Sequence, residues 1–554
     1  MINTDFTPSR LDKAFAHFLS ERCRLNAEQK QRFYELVKQL SFQQNHGHSC
    51  IAVDAQDQLL LLDSGLVSKQ GRTPLILDNG YLFMHRYWSY ERRLAEQIVK
   101  LSAKKYSAPD LETALDRYFG MKTELIDWQR KAAQVAVTQA FCIITGGPGT
   151  GKTTTVVKIL ALLQEIAQKP LLIALAAPTG KAAMRLQEAI SKSKKQLPCS
   201  DEIAKQIPET VTTLHRLLGA RPPSPYFHHH AKAPLPHDLV IVDEASMVDL
   251  ALMAKLVDAL RPGARLMLLG DKDQLASVEA GAVLADLTRA MPACTLELKK
   301  SFRFDDNIKE FSDAVNEQNA TKAWQLLQAQ QESIVYLKDD LIAFIVEKQR
   351  QYLALVKKTA AFEEIYLAFL NFQVLCSNRQ GKNGTQEINN RVEQRLQALN
   401  LINKRGEWYS GRPVMVTQNN AAMHLYNGDV GICLHDENSG QLMVHFQNES
   451  GVKKYLPARL SYCETIFAMT IHKSQGSEFN EILIALPPAM NQVLGKELLY
   501  TAITRAKQKI IVAAEKHIFE QSIRQKTERF GGLAEKIIEA GLSGHDAEKG
   551  ITAI

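Results

Sequence analysis

The stretch Gly146-Gly-Pro-Gly-Thr-Gly-Lys-Thr153 constrains this chain more than any other feature. It follows Phe141-Cys-Ile-Ile-Thr145, a short apolar run of strand character, and precedes Thr154-Thr-Val-Val-Lys-Ile-Leu-Ala-Leu-Leu, whose apolar residues have helical spacing. Strand, glycine loop and helix in that order form a phosphate-binding loop. The glycines let backbone N–H groups turn inward on a β-phosphate beside the positive end of the helix. Gly146, Gly147, Pro148, Gly149, Thr150, Gly151, Lys152, Thr153 and Thr154 are therefore expected to hold ATP. Lys152 should reach the β- and γ-phosphates, and the Thr153 hydroxyl should bind Mg²⁺. By chance, two glycines, a Lys and a Ser or Thr at this spacing arise about 0.01 times in such a chain.

A hydrolase needs a second element to carry the metal carboxylate and orient the attacking water. Leu239-Val-Ile-Val is a wholly apolar strand that ends in Asp243-Glu244-Ala-Ser-Met. An acidic pair at the C-terminal end of a buried parallel strand lies beside the phosphate loop in a doubly wound sheet. Asp243 is expected to hold Mg²⁺ through water, and Glu244 to act as general base on the attacking water. Arg265-Leu-Met-Leu-Leu, another buried strand, runs into Gly270-Asp-Lys-Asp-Gln274. The neutral amide of Gln274 can report whether the γ-phosphate is present.

Phe372-Gln-Val-Leu-Cys, Glu481-Ile-Leu-Ile-Ala-Leu and Lys509-Ile-Ile-Val-Ala-Ala give the second half of the chain the same strand-and-helix texture. Two such α/β lobes would place the nucleotide in the cleft between them. Arg505, in Tyr500-Thr-Ala-Ile-Thr-Arg505-Ala-Lys, is then an arginine finger that neutralises charge on the γ-phosphoryl group across that cleft. Closing on ATP and opening on hydrolysis is a hinge motion able to step along a strand.

These stretches resemble the motor motifs of superfamily 1 DNA helicases. Asp127-Trp-Gln129-Arg resembles the adenine-contacting Q motif, and Leu298-Lys-Lys-Ser-Phe-Arg303-Phe the motif whose arginine meets the γ-phosphate. Ala177-Pro-Thr179-Gly-Lys-Ala-Ala-Met-Arg and Thr213-Leu-His215-Arg resemble strand-contacting motifs of the first lobe, as does Ala468-Met-Thr470-Ile-His472-Lys-Ser-Gln-Gly-Ser-Glu478-Phe a motif of the second. The resemblance implies DNA contacts at Thr179, His215, Thr470 and His472 and a nucleotide contact at Glu478. Motor lobes hold the sugar–phosphate backbone and stack bases rather than read sequence.

In order, spacing and wording the set is most similar to the RecD family, the α-subunits of exodeoxyribonuclease V (RecBCD), over roughly residues 125–535. The segment from Leu75 to Glu91 and the short region before the motor are similar to that family too. The resemblance implies 5′→3′ movement on single-stranded DNA, action at duplex ends, and RecB-like and RecC-like partner subunits docking on residues 1–115. A free-standing superfamily 1 helicase without obligate partners is the competing reading.

The expected fold is α/β: two RecA-like P-loop lobes, a mostly helical N-terminal domain over 1–115, and a small SH3-like β insertion. Lobe 1 spans 116–305, with an insertion near 190–210. Lobe 2 spans 306–404 and 466–554. Residues 405–465 form the antiparallel insertion, because the short strands Arg412-Pro-Val-Met-Val-Thr, Val430-Gly-Ile-Cys-Leu and Leu442-Met-Val-His-Phe are separated by Asn427-Gly-Asp and Asn438-Ser-Gly turns. The Ser191-Lys-Ser-Lys-Lys segment near 190–210 is either a solvated loop or a pin that splits the duplex.

Other features carry less. Lys plus Arg total 67 against 60 Asp plus Glu, a net +7 that suits a polyanionic partner without demanding one. Eight scattered cysteines form no C-x-x-C pair, which suits reduced thiols rather than an iron–sulfur cluster or disulfides. Phe227-His-His-His230 with His237 lacks an accompanying carboxylate or thiol pattern, which argues against zinc. Glu297-Leu-Lys299 matches a nuclease-like E-x-K pattern by chance, on what should be a strand, so any nuclease belongs to another chain. No run reaches membrane-spanning length, and the N-terminus lacks a basic and apolar leader, so a cytoplasmic protein off the membrane is expected.

Overall fold

The computed structural model describes every residue except 1–5, 123–125, 300–305, 438, 449–450, 528 and 552–554. The apolar runs become strands covered on both faces, as near-continuous hydrophobic strands require. In lobe 1, six parallel strands lie in the order Thr295–Glu297, Phe141–Thr145, Arg265–Gly270, Leu239–Val242, Ile173–Ala177, Val211–Thr213. Successive side chains alternate between two cores. Phe141, Ile143, Val240, Val242, Leu266 and Leu268 enter one, while Cys142, Ile144, Ile241, Met267 and Leu269 enter the other. Each such side chain contributes about 1.5–3 kcal/mol on burial.

Lobe 2 repeats the plan with five parallel strands in the order Ile334–Tyr336, Ala506–Ala513, Phe479–Ala485, Phe372–Cys376, Ala468–Thr470. Both lobes are RecA-like. The insertion is a five-stranded antiparallel sheet in the order Gly451–Tyr455, Leu442–Asn448, Val430–His435, Arg412–Val416, Cys463–Thr465. Met415, Val430 and Ile432 pack into the lobe 2 core, whereas Val414, Cys433, Val444 and Phe446 form a separate small core.

The segment near 190–210 holds no strand. It comprises the end of helix Gly180–Lys194 and the short helix Asp201–Gln206. Ile190 and Ile207 anchor it in the lobe 1 core, and Lys194 Nζ donates to Ile207 O at 3.1 Å.

The N-terminal region is mainly helical, with helices Arg10–Ser20, Ala27–Gln44, Ala55–Asp63 and His85–Ala103. It also contains a four-stranded sheet of two- to four-residue strands that the hydrophobic pattern did not reveal. Packing joins this region to the motor. Leu94, Ala95 and Ile98 of helix His85–Ala103 enter a lobe 1 core, and so do Leu533 and Ile537 of the C-terminal helix Leu533–Ile551, which the sequence reading placed with lobe 2.

A buried ionic knot fixes this junction. Glu91, 1% exposed, accepts from Ser49 Oγ at 2.6 Å, Gly532 N at 3.1 Å and Lys536 Nζ at 3.0 Å. Lys536 also pairs with Asp78 at 3.3 Å. Lys536→Met leaves the Glu91 carboxylate buried without its cation, and is expected to cost roughly 3–5 kcal/mol. A urea titration should show this loss, and adding Glu91→Met should recover much of it.

Candidate nucleotide site and DNA face

The site collects at the C-terminal ends of the parallel strands, where doubly wound sheets bind ligands. Strand Phe141–Thr145 delivers the phosphate loop, and helix Lys152–Ile166 begins within it. Gly149 and Gly151 adopt φ of +77° and +80°, the left-handed region that favours glycine. A Cβ on Gly146 would stand 2.9 Å from the Leu298 carbonyl, so the loop admits no side chain there. Lys152 Nζ lies over the loop, donating to Gly146 O at 2.6 Å and Gly147 O at 3.0 Å. Thr150 Oγ1 donates to Gly147 O at 2.8 Å and stiffens the turn.

Asp243 and Glu244 follow strand Leu239–Val242 as expected. Burial, then the neighbouring Glu244 charge, hold the Asp243 carboxyl well above the usual carboxylate range, against the pull of Lys152. Asp243 has no salt-bridge partner among the described residues; its Oδ1 accepts from Glu244 N at 2.9 Å. Glu244 has φ +51° and ψ +40°, a left-handed conformation that costs a non-glycine residue on the order of 1–2 kcal/mol. It breaks the strand's alternation at the second carboxylate, and strain of this kind concentrates at functional sites.

The two lobes meet around Gln274. Arg505 Nη2 donates to Gln274 Oε1 at 2.6 Å. Arg505 Nε also donates to Thr501 O at 3.1 Å, so the guanidinium is held from both lobes. Burial lowers the Arg505 pKa, an effect opposed by the charges of Glu244, Glu478 and Asp271. Gln274 Nε2 donates in turn to Asp271 Oδ2 at 3.0 Å, which also accepts from Tyr500 OH at 3.1 Å. Burial pushes Asp271 up to about 6, with Lys152 opposing. Leu275 N donates to Thr501 Oγ1 at 2.9 Å, and the Leu275 side chain is buried in the lobe 2 core.

Asp271 and Tyr500 were not singled out from the sequence. Asp271 carried a signal nonetheless, since it ends strand Arg265–Gly270 as Asp243 ends its neighbour. Tyr500 carried none beyond its place five residues before Arg505; its hydroxyl would stand 3.1 Å from a Cβ on Gly147.

Gln129 lies in the first turn of helix Trp128–Thr138, its N–H capped by Asp127 Oδ1 at 2.9 Å. Arg303 lies outside the described residues. Glu478 pairs with Arg185 Nη2 at 2.7 Å, while Arg185 Nη1 donates to Gly476 O at 2.9 Å. This is a second bridge between the lobes, and Arg185 was not singled out either. Glu478→Ala is expected to weaken lobe closure by about 1 kcal/mol, the worth of a partly exposed pair, raising the KM for ATP about fivefold with kcat little changed. Steady-state kinetics at saturating DNA would check it.

The DNA candidates also lie at strand ends. Thr179 caps helix Gly180–Lys194, its Oγ1 accepting from Ala182 N at 3.2 Å. His215 is exposed, its ring edge-on to Phe227 at 5.7 Å. Thr470 ends strand Ala468–Thr470, and His472 occupies the turn Ile471–Ser474 that follows. Glu297 lies on its strand, ion-paired with Lys272 at 3.0 Å. Among the described residues no His, Cys, Asp and Glu group of three is placed to hold a metal, and no helix is long and apolar enough to cross a membrane.

A phosphate loop in one RecA-like lobe, closed by an arginine from a second, defines a two-lobe P-loop ATPase motor. An AAA domain family matches residues 129–280, and a UvrD-like helicase C-terminal domain family matches residues 465–513. The chain is 39% identical to the RecBCD enzyme subunit RecD of Mycolicibacterium smegmatis, over 85% of each chain. It is 35% identical to the same-named protein of Haemophilus influenzae, over 84% of this chain and 81% of that one. It is 32% identical to the ATP-dependent RecD2 DNA helicase of Deinococcus radiodurans, over 71% of this chain and 50% of that one. The chain belongs to the RecD family.

Proposed function

We infer that this chain hydrolyses ATP to move 5′→3′ along single-stranded DNA and unwind duplex ends, as the RecD subunit of a RecBCD-type exodeoxyribonuclease V. The observation that carries the motor reading is the Gln274–Arg505 hydrogen bond at 2.6 Å, which joins the lobes beside the phosphate loop. Similarity to RecBCD subunits over most of both chains supports RecB-like and RecC-like partners, with residues 1–115 as the docking domain, in double-strand-break repair and recombination. The wide match favours a subunit over a free-standing helicase, since the chain spans half of the RecD2 relative.

Gly146 to Thr154 cradle the phosphates, and Gln129, Glu478 and Arg303 complete the nucleotide site. Lys152 neutralises the β- and γ-phosphates. Glu244 takes the proton of the attacking water. Gln274 senses the γ-phosphate, and Arg505 stabilises the charge that develops on it. The half-buried Asp243 carboxylate, which has no salt-bridge partner among the described residues, suits Mg²⁺ together with Thr153. When bound, Mg²⁺ supplies charge neutralisation to the triphosphate.

Thr179, His215, Thr470 and His472 track the DNA backbone, and the sheet over 405–465 covers the channel. The test is the ATPase rate with and without oligo(dT), partner subunits supplied. Strong stimulation is expected, and a DNA-independent rate would overturn the reading.

A further inference from the structure

Arg529 belongs to none of the motifs described above. It lies between helices Lys516–Arg524 and Leu533–Ile551, where three parts of the molecule meet. Its Nη1 donates to the carbonyls of Glu279 at 2.9 Å and Gly281 at 3.2 Å, on the lobe 1 loop that leaves Gln274. Gly281 N donates in turn to Gly47 O at 3.0 Å, in the N-terminal domain. The adjacent Phe530 N donates to His48 Nδ1 at 3.0 Å. Nearer Gln274 the loop touches lobe 2, where Gln475 Nε2 donates to Leu275 O at 3.2 Å. Gln475 caps the turn that carries His472.

These bonds hold the guanidinium without neutralising it. Among the described residues no carboxylate pairs with Arg529, and burial lowers its pKa with no opposing charge. Burial also lowers His472 and His48, the latter to about 4, and the charge of Arg529 adds to the fall in each. Basic groups from the N-terminal domain, lobe 2 and the C-terminal segment thus lie near one another, and none of the three is ion-paired among the described residues. An uncompensated charge in such a place is costly, so a bound anion is favoured. Of the five guanidinium N–H groups, those on Nη1 face the two carbonyls, while Nε and Nη2 have no hydrogen-bond partner among the described residues and form the edge that a phosphate meets bidentately.

We propose that Arg529, together with His472, holds a backbone phosphate of the single-stranded DNA, and through the Glu279 and Gly281 carbonyls ties that phosphate to the loop leaving Gln274. The proposal rests on the DNA-motor reading, and the alternative is a guanidinium that only clamps the loop. The test is fluorescence anisotropy of labelled oligo(dT) on the full chain with its partner subunits, across a salt series. Arg529→Gln should weaken binding on the order of tenfold and reduce the slope of log K against log[salt] by about 0.7, one phosphate on a single strand.

Arg529→Lys keeps the charge but cannot reproduce the planar fork, and should retain the parental slope. A neutral methylphosphonate walked along the oligonucleotide guards against a folding defect in the Gln variant. One linkage should weaken the parent and Arg529→Lys alike. A parental slope in Arg529→Gln, or no linkage at which a methylphosphonate matters, would overturn the proposal while leaving the motor reading intact. A parent that does not bind oligo(dT) at all would overturn both.

Discussion

Lys152→Gln is expected to lower DNA-stimulated ATP hydrolysis by at least about a hundredfold, in line with the loss of a preorganised donor that meets developing charge. Lys152 is the first residue of helix Lys152–Ile166, and its ammonium already lies over the loop at Gly146 and Gly147. No side-chain search is needed to reach the phosphates. Glutamine is one atom shorter, polar and uncharged, so the site loses its cation without gaining an apolar group. The supporting strand and helix bury apolar side chains that do not involve Lys152, and the melting temperature should therefore change little. A variant that hydrolyses ATP at the parental rate would mean that the nucleotide sits elsewhere.

Arg505→Ala should be the more damaging change to kcat, because an arginine finger contributes about 10³- to 10⁵-fold. Arg505 is 2% exposed and bonded to Thr501 O and Gln274 Oε1, so its guanidinium stands ready between the lobes. Removing it deletes the positive charge and leaves the Gln274 carbonyl without its donor. Arg505→Lys should recover little, since one ammonium cannot make the forked contacts. ATP binding, read by displacement of a fluorescent analogue, should stay within a few-fold of the parent because the phosphate loop is untouched. Loss of binding with an unchanged kcat would instead make Arg505 a ground-state contact.

The motor's framework was legible because its signals are local. Phe141–Thr145, Leu239–Val242 and Arg265–Gly270 are apolar runs of strand length, and each ends in residues whose chemistry is readable in place. The four-stranded N-terminal sheet was not legible, because strands such as Val67–Ser68 are too short to show a period of two. Pairings were hidden for a different reason. Gln274 and Arg505 lie 231 residues apart, and Arg185 reaches Gly476 across 291. Nothing in the local pattern records which distant strand end will be the neighbour. The burial of Leu533 and Ile537 against lobe 1 is of the same kind, since an amphipathic helix announces a face but not what covers it. Asp271 was the residue most open to discovery, as the strand-end argument that found Asp243 applies to it unchanged.

ATP hydrolysis is proposed to drive this chain 5′→3′ along single-stranded DNA. This is tested most directly by duplex unwinding from substrates with either a 5′ or a 3′ single-stranded tail. The chain should be assembled with RecB-like and RecC-like partners whose own motor has been inactivated. ATP-dependent unwinding from the 5′ tail is expected, abolished by Lys152→Gln. Unwinding from the 3′ tail alone, or from neither with the parental chain, would contradict it.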